Sequence, residues 1–258
     1  MMLTNAQTIR EFPASAPAIS GTDHWAYQRQ PNGLDERETR LRAGFESRVR
    51  FYRSLLGKFL PANKDEAILD LPCGEGQMLY TLHRLGYSNL KGFDIDARRV
   101  AVGRRLDLPT FEGNVFDILL AHPNASISCV VSMDFIEHIE KEDVVRLLDL
   151  VQRRLRPGGR LILRTPCADS PFGSRHIHND FTHKWAATSG VLRGLLTSGG
   201  FVDVAVFGEH PKVDMRRGVP RVLSFWAASF MGNMITRALN IGRIEIWSSS
   251  MWAIATKP

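Results

Sequence analysis

A chain of 258 residues, 44% hydrophobic and 23% charged, carries enough apolar material for one α/β core and too little compositional bias for a fibrous or disordered protein. Its three cysteines, Cys73, Cys129 and Cys167, stand far apart. That excludes a disulfide framework and a Cys-x-x-Cys zinc site, and sets the expectation of a reducing, cytoplasmic setting. A net charge of +6 admits an anionic substrate or a membrane surface without requiring nucleic acid, and no basic-then-apolar leader opens the chain.

Residues 1–33 are rich in Ala, Ser, Thr, Pro, Asn and Gln and read as an irregular lead-in. Trp25 and Tyr27 stand out in it and are expected to dock on the core or over a ligand cleft. From residue 34 to 258 a single domain is expected. Leu34 to Leu60 reads as a long amphipathic helix with Leu41, Phe45, Val49, Tyr52, Leu55, Leu56 and Phe59 on one side. The other side carries Arg37, Arg40, Arg48 and Arg53, read as mainly solvated, with one arginine able to reach a ligand.

Ala67 to Asp96 reads as strand, turn, helix and strand. Ala67 to Leu71 has the length of a buried parallel strand, Pro72 to Gly76 forms a turn, and Gln77 to Leu85 is helical until Gly86 stops it. Leu90 to Ile95 is the next strand, which carries Asp94 and is followed by Asp96. Gly74 and Gly76 permit a tight turn with a ligand lying against the backbone. The helix that follows points free N–H groups into the same crevice. Asp94 lies about 20 residues beyond the glycines, where a carboxylate takes the hydroxyls of a ribose. The dinucleotide pattern requires a third glycine where this chain has Leu79, so NAD and FAD are not expected. Asp70 would repel a pyrophosphate and suits a cationic ligand.

The run Asp70-Leu71-Pro72-Cys73-Gly74-Glu75-Gly76, followed by Gly92-Phe93-Asp94-Ile95, resembles motif I and the second-strand acid of the Rossmann-like S-adenosylmethionine-dependent methyltransferases. The resemblance implies a doubly wound, mostly parallel seven-stranded sheet, with an N-terminal helix and a helical insert before the last strand. It also implies that Asp70 holds the loop and the cationic methionine end, and Asp94 the ribose. Thr110 to Val115 is a third short strand with its exit loop, after a helix from Ala97 to Leu106. Where that family often has Gly-Asp, with the Asp on the adenine amino group, this chain has Gly113-Asn114; an amide carbonyl can accept the same bond. The implied cofactor set is Asp70, Cys73, Gly74, Gly76, Asp94, Ile95, Asn114, Val115 and Met133.

Ile127 to Val131 is a buried strand that ends in Ser132-Met133-Asp134, and Asp134, Glu137 and His138 fall on one side of the following turn. This is similar to the segment after strand four in the same family. In the ubiquinone-biosynthesis O-methyltransferases these positions have been linked to a divalent metal. Three readings stay open: His138 as a general base, the trio as a metal site, or a structural brace. A metal is not the favoured one. Glu142 to Leu155 is an amphipathic helix, Arg156 to Gly159 a turn, and Arg160 to Leu163, with Arg164, the fifth strand. Thr165 to Trp185 reads as a long polar loop carrying His176, His178, Asp180 and His183. Its SPFG and DFTH runs resemble bacterial methyltransferases of surface-polysaccharide and glycolipid biosynthesis, and within it His183 and Asp180 are candidates for a proton relay or an acceptor contact.

Thr188 caps a helix over Ser189 to Ser198, Phe201 to Phe207 is the sixth strand, and Met251 to Thr256 an antiparallel seventh. Between them lies an insert, residues 208–248, with an apolar helix from Val222 to Leu239 bracketed by arginines. It reads as a lid over the substrate or as an interfacial membrane contact at 220–243, and the two are compatible. The expected activity is transfer of the methyl of S-adenosylmethionine, leaving S-adenosylhomocysteine, to an oxygen of a small-molecule, glycan or lipid-linked acceptor. Asp134, His138 and His183 would handle that acceptor. An RNA or protein methyltransferase and a non-catalytic membrane scaffold are the alternatives; no RNA-binding module and no Asn-Pro-Pro-Tyr-like motif is found in the sequence to support the first.

Overall fold

The computed structural model describes residues 34–209, 218–240 and 242–258, so the expectations for Trp25 and Tyr27 lie outside the described residues. The elements run α1 (Leu34–Leu56), β1 (Ile68–Asp70), α2 (Gln77–Arg84), β2 (Leu90–Asp94), α3 (Ala97–Arg105), β3 (Thr110–Glu112), α4 (Val115–Ala121) and β4 (Ile127–Met133). A 3-10 turn at Ile136–His138 leads into α5 (Lys141–Arg154), β5 (Leu155–Pro166), α6 (Gly173–His178), α7 (Ser189–Ser198), β6 (Val202–Gly208), α8 (Gly218–Ala238) and β7 (Ser250–Thr256). The seven strands form one sheet in the order β3-β2-β1-β4-β5-β7-β6, with β7 antiparallel to both neighbours and the other pairings parallel.

The apolar runs are continuous because both faces of the sheet are covered. Successive residues go to opposite cores. Leu69, Val130, Leu161, Leu163, Met251 and Ala253 pack with α5 and α7 on one face. Ile68, Cys129, Val131, Ile162, Trp252 and Ile254 pack with α1 and α2 on the other. The cysteines are buried and unpaired.

Several boundaries differ from the expectations, among them that of α8, which begins at Gly218 rather than Val222. The first helix stops at Leu56 rather than Leu60, at Gly57, where a side chain would collide with the Arg53 carbonyl at 2.5 Å. The segment Arg156 to Gly159 is drawn into β5 rather than standing as a separate turn. Leu155 pairs with Ile127 before the register shifts, and the Gly158 N–H reaches the Lys257 carbonyl at 2.9 Å. The stretch after Thr165 is not wholly loop: β5 continues to Pro166, and α6 forms within it. α4 was not anticipated; Asn114 caps it by accepting the Phe116 N–H at 2.8 Å. Among the described residues, no helix is long and apolar enough to cross a membrane.

Gly92 in β2 sits under the β1–α2 turn, and a Cβ there would lie 2.5 Å from Leu79 Cδ1 and 2.6 Å from Cys73 Cβ. Gly92→Ala is therefore expected to cost about 1–3 kcal/mol by overpacking. The readout is a lower urea midpoint at unchanged slope.

Candidate active site

β1 lies between β2 and β4, and the chain order reverses there, so the carboxyl end of β1 opens on the crevice where α/β sheets bind ligands. The turn after β1 is stitched to both neighbours. The Leu71 N–H donates to the Val131 carbonyl at 2.8 Å, and the Cys73 N–H to the Phe93 carbonyl at 2.9 Å. Gly74 then turns left-handed, with φ of 55°, and its N–H donates to Asp94 Oδ2 at 2.8 Å. The other oxygen of Asp94 accepts the Asp96 N–H at 2.9 Å. Each carboxylate oxygen keeps a second lone pair for a hydroxyl.

The two glycines serve different ends. A side chain on Gly76, at φ of 91°, would strike Leu108 Cδ1 at 2.6 Å, so its smallness answers to packing. A Cβ on Gly74 would meet nothing within 4 Å. That open space above the loop is what a ligand laid against the backbone needs.

Asp70 is buried below the start of α2, and the Leu79 backbone N–H there favours its ionised form only weakly. Its Oδ2 is buried without a partner among the described residues. Burial, together with the nearby charge of Asp94, raises its carboxyl well above the usual range. An orphaned oxygen on a carboxyl short of positive charge fits the cationic end of S-adenosylmethionine. Arg37 of α1 pairs with Glu75 in the turn, and Arg48 donates to Gln77 Oε1 at 3.0 Å, so two arginines of the supposedly solvated face clamp this loop.

The other residues expected around the cofactor occupy varied positions. Ile95, next to Asp94, is 72% exposed, as an apolar shelf at the end of β2 would be. Cys73 and Val115 are buried, Met133 is half-buried against the α1–α2 core, and burial pushes the Cys73 thiol up. Asn114 is exposed, with its carbonyl oxygen engaged in capping α4.

Beyond β4 the expected trio divides. Asp134 takes a left-handed φ of 50°, uncommon outside glycine, and its carboxylate is captured by Arg164 of β5. Arg164 also donates to Glu209 Oε1 at 3.1 Å and to Ser250 Oγ at 3.2 Å, and Glu209 Oε1 further accepts the Trp252 Nε1–H at 2.9 Å. The single-side spacing expected for Asp134, Glu137 and His138 therefore does not make one cluster, because the half-buried guanidinium of Arg164 holds Asp134 toward β5.

Glu137 and His138 face the histidine-bearing segment instead. Trp185 Nε1 donates to the carbonyls of Ile136 and Ile139 at 2.9 and 3.2 Å, and the Lys184 N–H to the Glu137 carbonyl at 2.8 Å. This brings His183 against His138 with ring centroids 4.6 Å apart. Asp180 Oδ1 lies 2.6 Å from Thr182 Oγ1, which lies 2.8 Å from His138 Nδ1. Burial opposes charge on Asp180, yet the Thr182 hydroxyl and N–H hold its carboxyl below the usual range. An ionised carboxylate can only accept, so the Thr182 hydroxyl donates to it and receives the His138 Nδ1–H. His183 Nδ1 must likewise donate to the Ile177 carbonyl at 2.8 Å. In the neutral rings both Nε2 atoms are then free acceptors.

Burial, and secondarily the neighbouring His183, hold His138 below the ordinary histidine value. Glu137 is buried with one oxygen bonded by the Thr165 hydroxyl at 3.0 Å and the other unpartnered among the described residues. Burial and the charge of Asp134 push its carboxyl up to about 8. One atom each of Glu137, His138 and His183 lie within 4.8 Å of one another, a grouping that leaves out Asp134. Arg164, Thr182 and Glu209 are site residues that motif spacing did not mark. An arginine directly after the apolar run Leu161-Ile162-Leu163 was the only sequence sign of the first.

Residues 45–205, well over half of the chain, match the family described as a methyltransferase domain. Among solved structures, a SAM-dependent methyltransferase from Archaeoglobus fulgidus superposes with a TM-score of 0.63 at 22% identity, over 81% of this chain and 94% of that one. Geranyl diphosphate C-methyltransferase from Streptomyces coelicolor does so with a TM-score of 0.55 at 16% identity, over 90% and 88%. These two likenesses speak for the fold. An uncharacterised 37.1 kDa protein of a Streptomyces fradiae transposon is 34% identical over 127 residues, which is 47% of this chain and only 36% of that relative's length. With the family match laid over this sheet order and this glycine turn, the chain belongs to the methyltransferase-domain family: it is a class I S-adenosylmethionine-dependent methyltransferase, and S-adenosylhomocysteine is its product.

Proposed function

We propose that this enzyme methylates a hydroxyl oxygen of a small-molecule, glycan or lipid-linked acceptor, with His138 as the base. The observation that carries the reading is the chain Asp180–Thr182–His138, which fixes the imidazole tautomer and leaves Nε2 as its acceptor atom. S-adenosylmethionine supplies a methyl carbon already made electrophilic by its sulfonium. The protein's share is then to hold the two reactants in line and to take the hydroxyl proton. As the oxygen–carbon bond forms and the carbon–sulfur bond breaks, the hydroxyl proton passes to His138 Nε2. His183 bounds the acceptor beside it, and Asp134, neutralised by Arg164, shapes the pocket rather than accepting a proton. Asp70, Gly74, Gly76 and Asp94 hold the cofactor, with Cys73, Ile95, Asn114, Val115 and Met133 around it. Geranyl diphosphate, the acceptor of one structural neighbour, supports a small or lipid-like acceptor on this fold. The SPFG and DFTH runs of the β5–α7 segment support a glycan or glycolipid.

A second reading, a divalent cation held by Glu137, His138 and His183, is favoured by the 4.8 Å grouping alone. Turnover that collapses with a chelator and returns with added cation would select it over the base.

Asp70→Asn should weaken S-adenosylhomocysteine binding by about 30-fold or more, as loss of a buried charge partner does. Isothermal calorimetry reads this directly. His138→Ala should lower kcat by about 10²–10⁴-fold while leaving cofactor affinity intact. The assay is a radiolabelled-methyl screen of hydroxylated glycans and lipid-linked sugars. The base must be unprotonated, so activity is lost as pH falls through the His138 value, which lies below about 6.5. The rate should therefore be flat from neutral pH down to that point and fall beneath it. An acid limb centred above neutral, or a His138→Ala enzyme at full rate, would dismiss the base assignment.

A further inference from the structure

α8 is built inside out. A helix on a water-soluble protein turns its apolar stripe inward and its polar face outward. α8 instead turns Ser229, Gly232, Asn233 and Thr236 toward the protein. Ser229 is buried and donates to the Phe225 carbonyl, and Asn233 Oδ1 accepts the Ile244 N–H at 2.8 Å. Gly232 lies so close on Trp247 that a Cβ would fall 2.0 Å from its ring. The outward arc carries Leu223, Trp226, Phe230, Met231, Met234 and Ile235. Phe230 is 68% exposed and Trp226 56%, and together the six make a contiguous apolar face of the kind that marks an interaction surface.

Charge decides what covers it. From Lys212 to Glu245 the sequence carries Lys212 and five arginines, at 216, 217, 221, 237 and 243, against two acids, Asp214 and Glu245, with all of these charges toward the two ends of the apolar stretch. A second copy of this segment laid on the face would set two sequences of net positive charge against each other, each with only Asp214 and Glu245 to offset its six cations. An anionic lipid surface has the opposite property: hydrocarbon for the arc and negative headgroups for both ends. With 21 residues and about 1.5 Å of rise each, α8 is about 30 Å long, yet it is not apolar enough to span a bilayer. It suits lying flat.

We propose that α8 docks the enzyme on an anionic membrane surface, with Leu223, Trp226, Phe230 and Met234 in the acyl boundary and Arg237 and Arg243 at the headgroups. The helix is joined to the histidine-bearing segment through Trp247. Its carbonyl accepts the Ser170 hydroxyl at 2.9 Å, and its ring meets Phe172 at 6.3 Å. Docking thus sets the acceptor side of the enzyme at the lipid interface. That last link rests on the proposed acceptor reading; the docking does not, and it is measured without turnover.

The test is cosedimentation of the full chain with vesicles of phosphatidylglycerol and phosphatidylcholine, and with phosphatidylcholine vesicles alone. Binding to the anionic vesicles, weakened by salt, is expected. Leu223→Ser with Phe230→Ser should weaken it by about tenfold or more, with S-adenosylhomocysteine affinity unchanged as the check on folding. Arg237→Glu with Arg243→Glu should remove the preference for anionic lipid while leaving the apolar arc whole. No binding to either vesicle, binding indifferent to both pairs of substitutions, or a dimer in analytical ultracentrifugation that the Leu223/Phe230 pair dissolves would each overturn the proposal.

Discussion

One carboxylate holds the cofactor end of this enzyme together. Asp94 ends β2 yet bonds the Gly74 N–H of the turn after β1, so two parallel strands and the loop between β1 and α2 move as one body. Without that bond the left-handed turn at Gly74 would have only its flanking contacts to fix it. Asp70, the last residue of β1, is buried close to Asp94. Two acids placed this close repel each other, which adds to burial in raising the Asp70 carboxyl, and one of its oxygens is buried with no partner among the described residues. A preorganised site of this kind stores unfavourable electrostatics that a cationic ligand relieves.

The acceptor side is organised by a different constraint. Arg164, half-buried near the carboxyl end of β5, is neutralised by both Asp134 and Glu209. That pairing draws Asp134 away from Glu137 and His138, which then meet the segment bearing Thr182 and His183. Trp185 fastens the meeting by capping carbonyls that the 3-10 turn leaves open. A charge pair in the sheet therefore sorts which side chains are structural and which remain free for chemistry.

α8 and Trp247 extend the same edge. The helix joins β6 to β7, so it stands at the lip of the crevice by connectivity alone. Its small and polar residues face Trp247 because only they allow the close approach that Gly232 makes. The large apolar side chains are left pointing outward beside the acceptor segment.

The sequence by itself determined the fold and the cofactor crevice. Continuous apolar runs of strand length, a glycine turn and an acid about 20 residues later are local or near-local signals, and the α/β arrangement follows from them because parallel strands must be covered on both faces. The turn at Gly74 and the acid at Asp94 were legible for that reason. The proposed acceptor side was legible only in its residue types. His138 and His183 could be singled out, but their contact spans 45 positions and depends on where Trp185 docks. Asp134 was grouped with them by spacing, and only the arrangement of β5 and β6 revealed that Arg164 claims it. The direction in which α8 faces was beyond the sequence as well. A helix apolar around most of its circumference carries no signal of which side is inward until Trp247 occupies one of them.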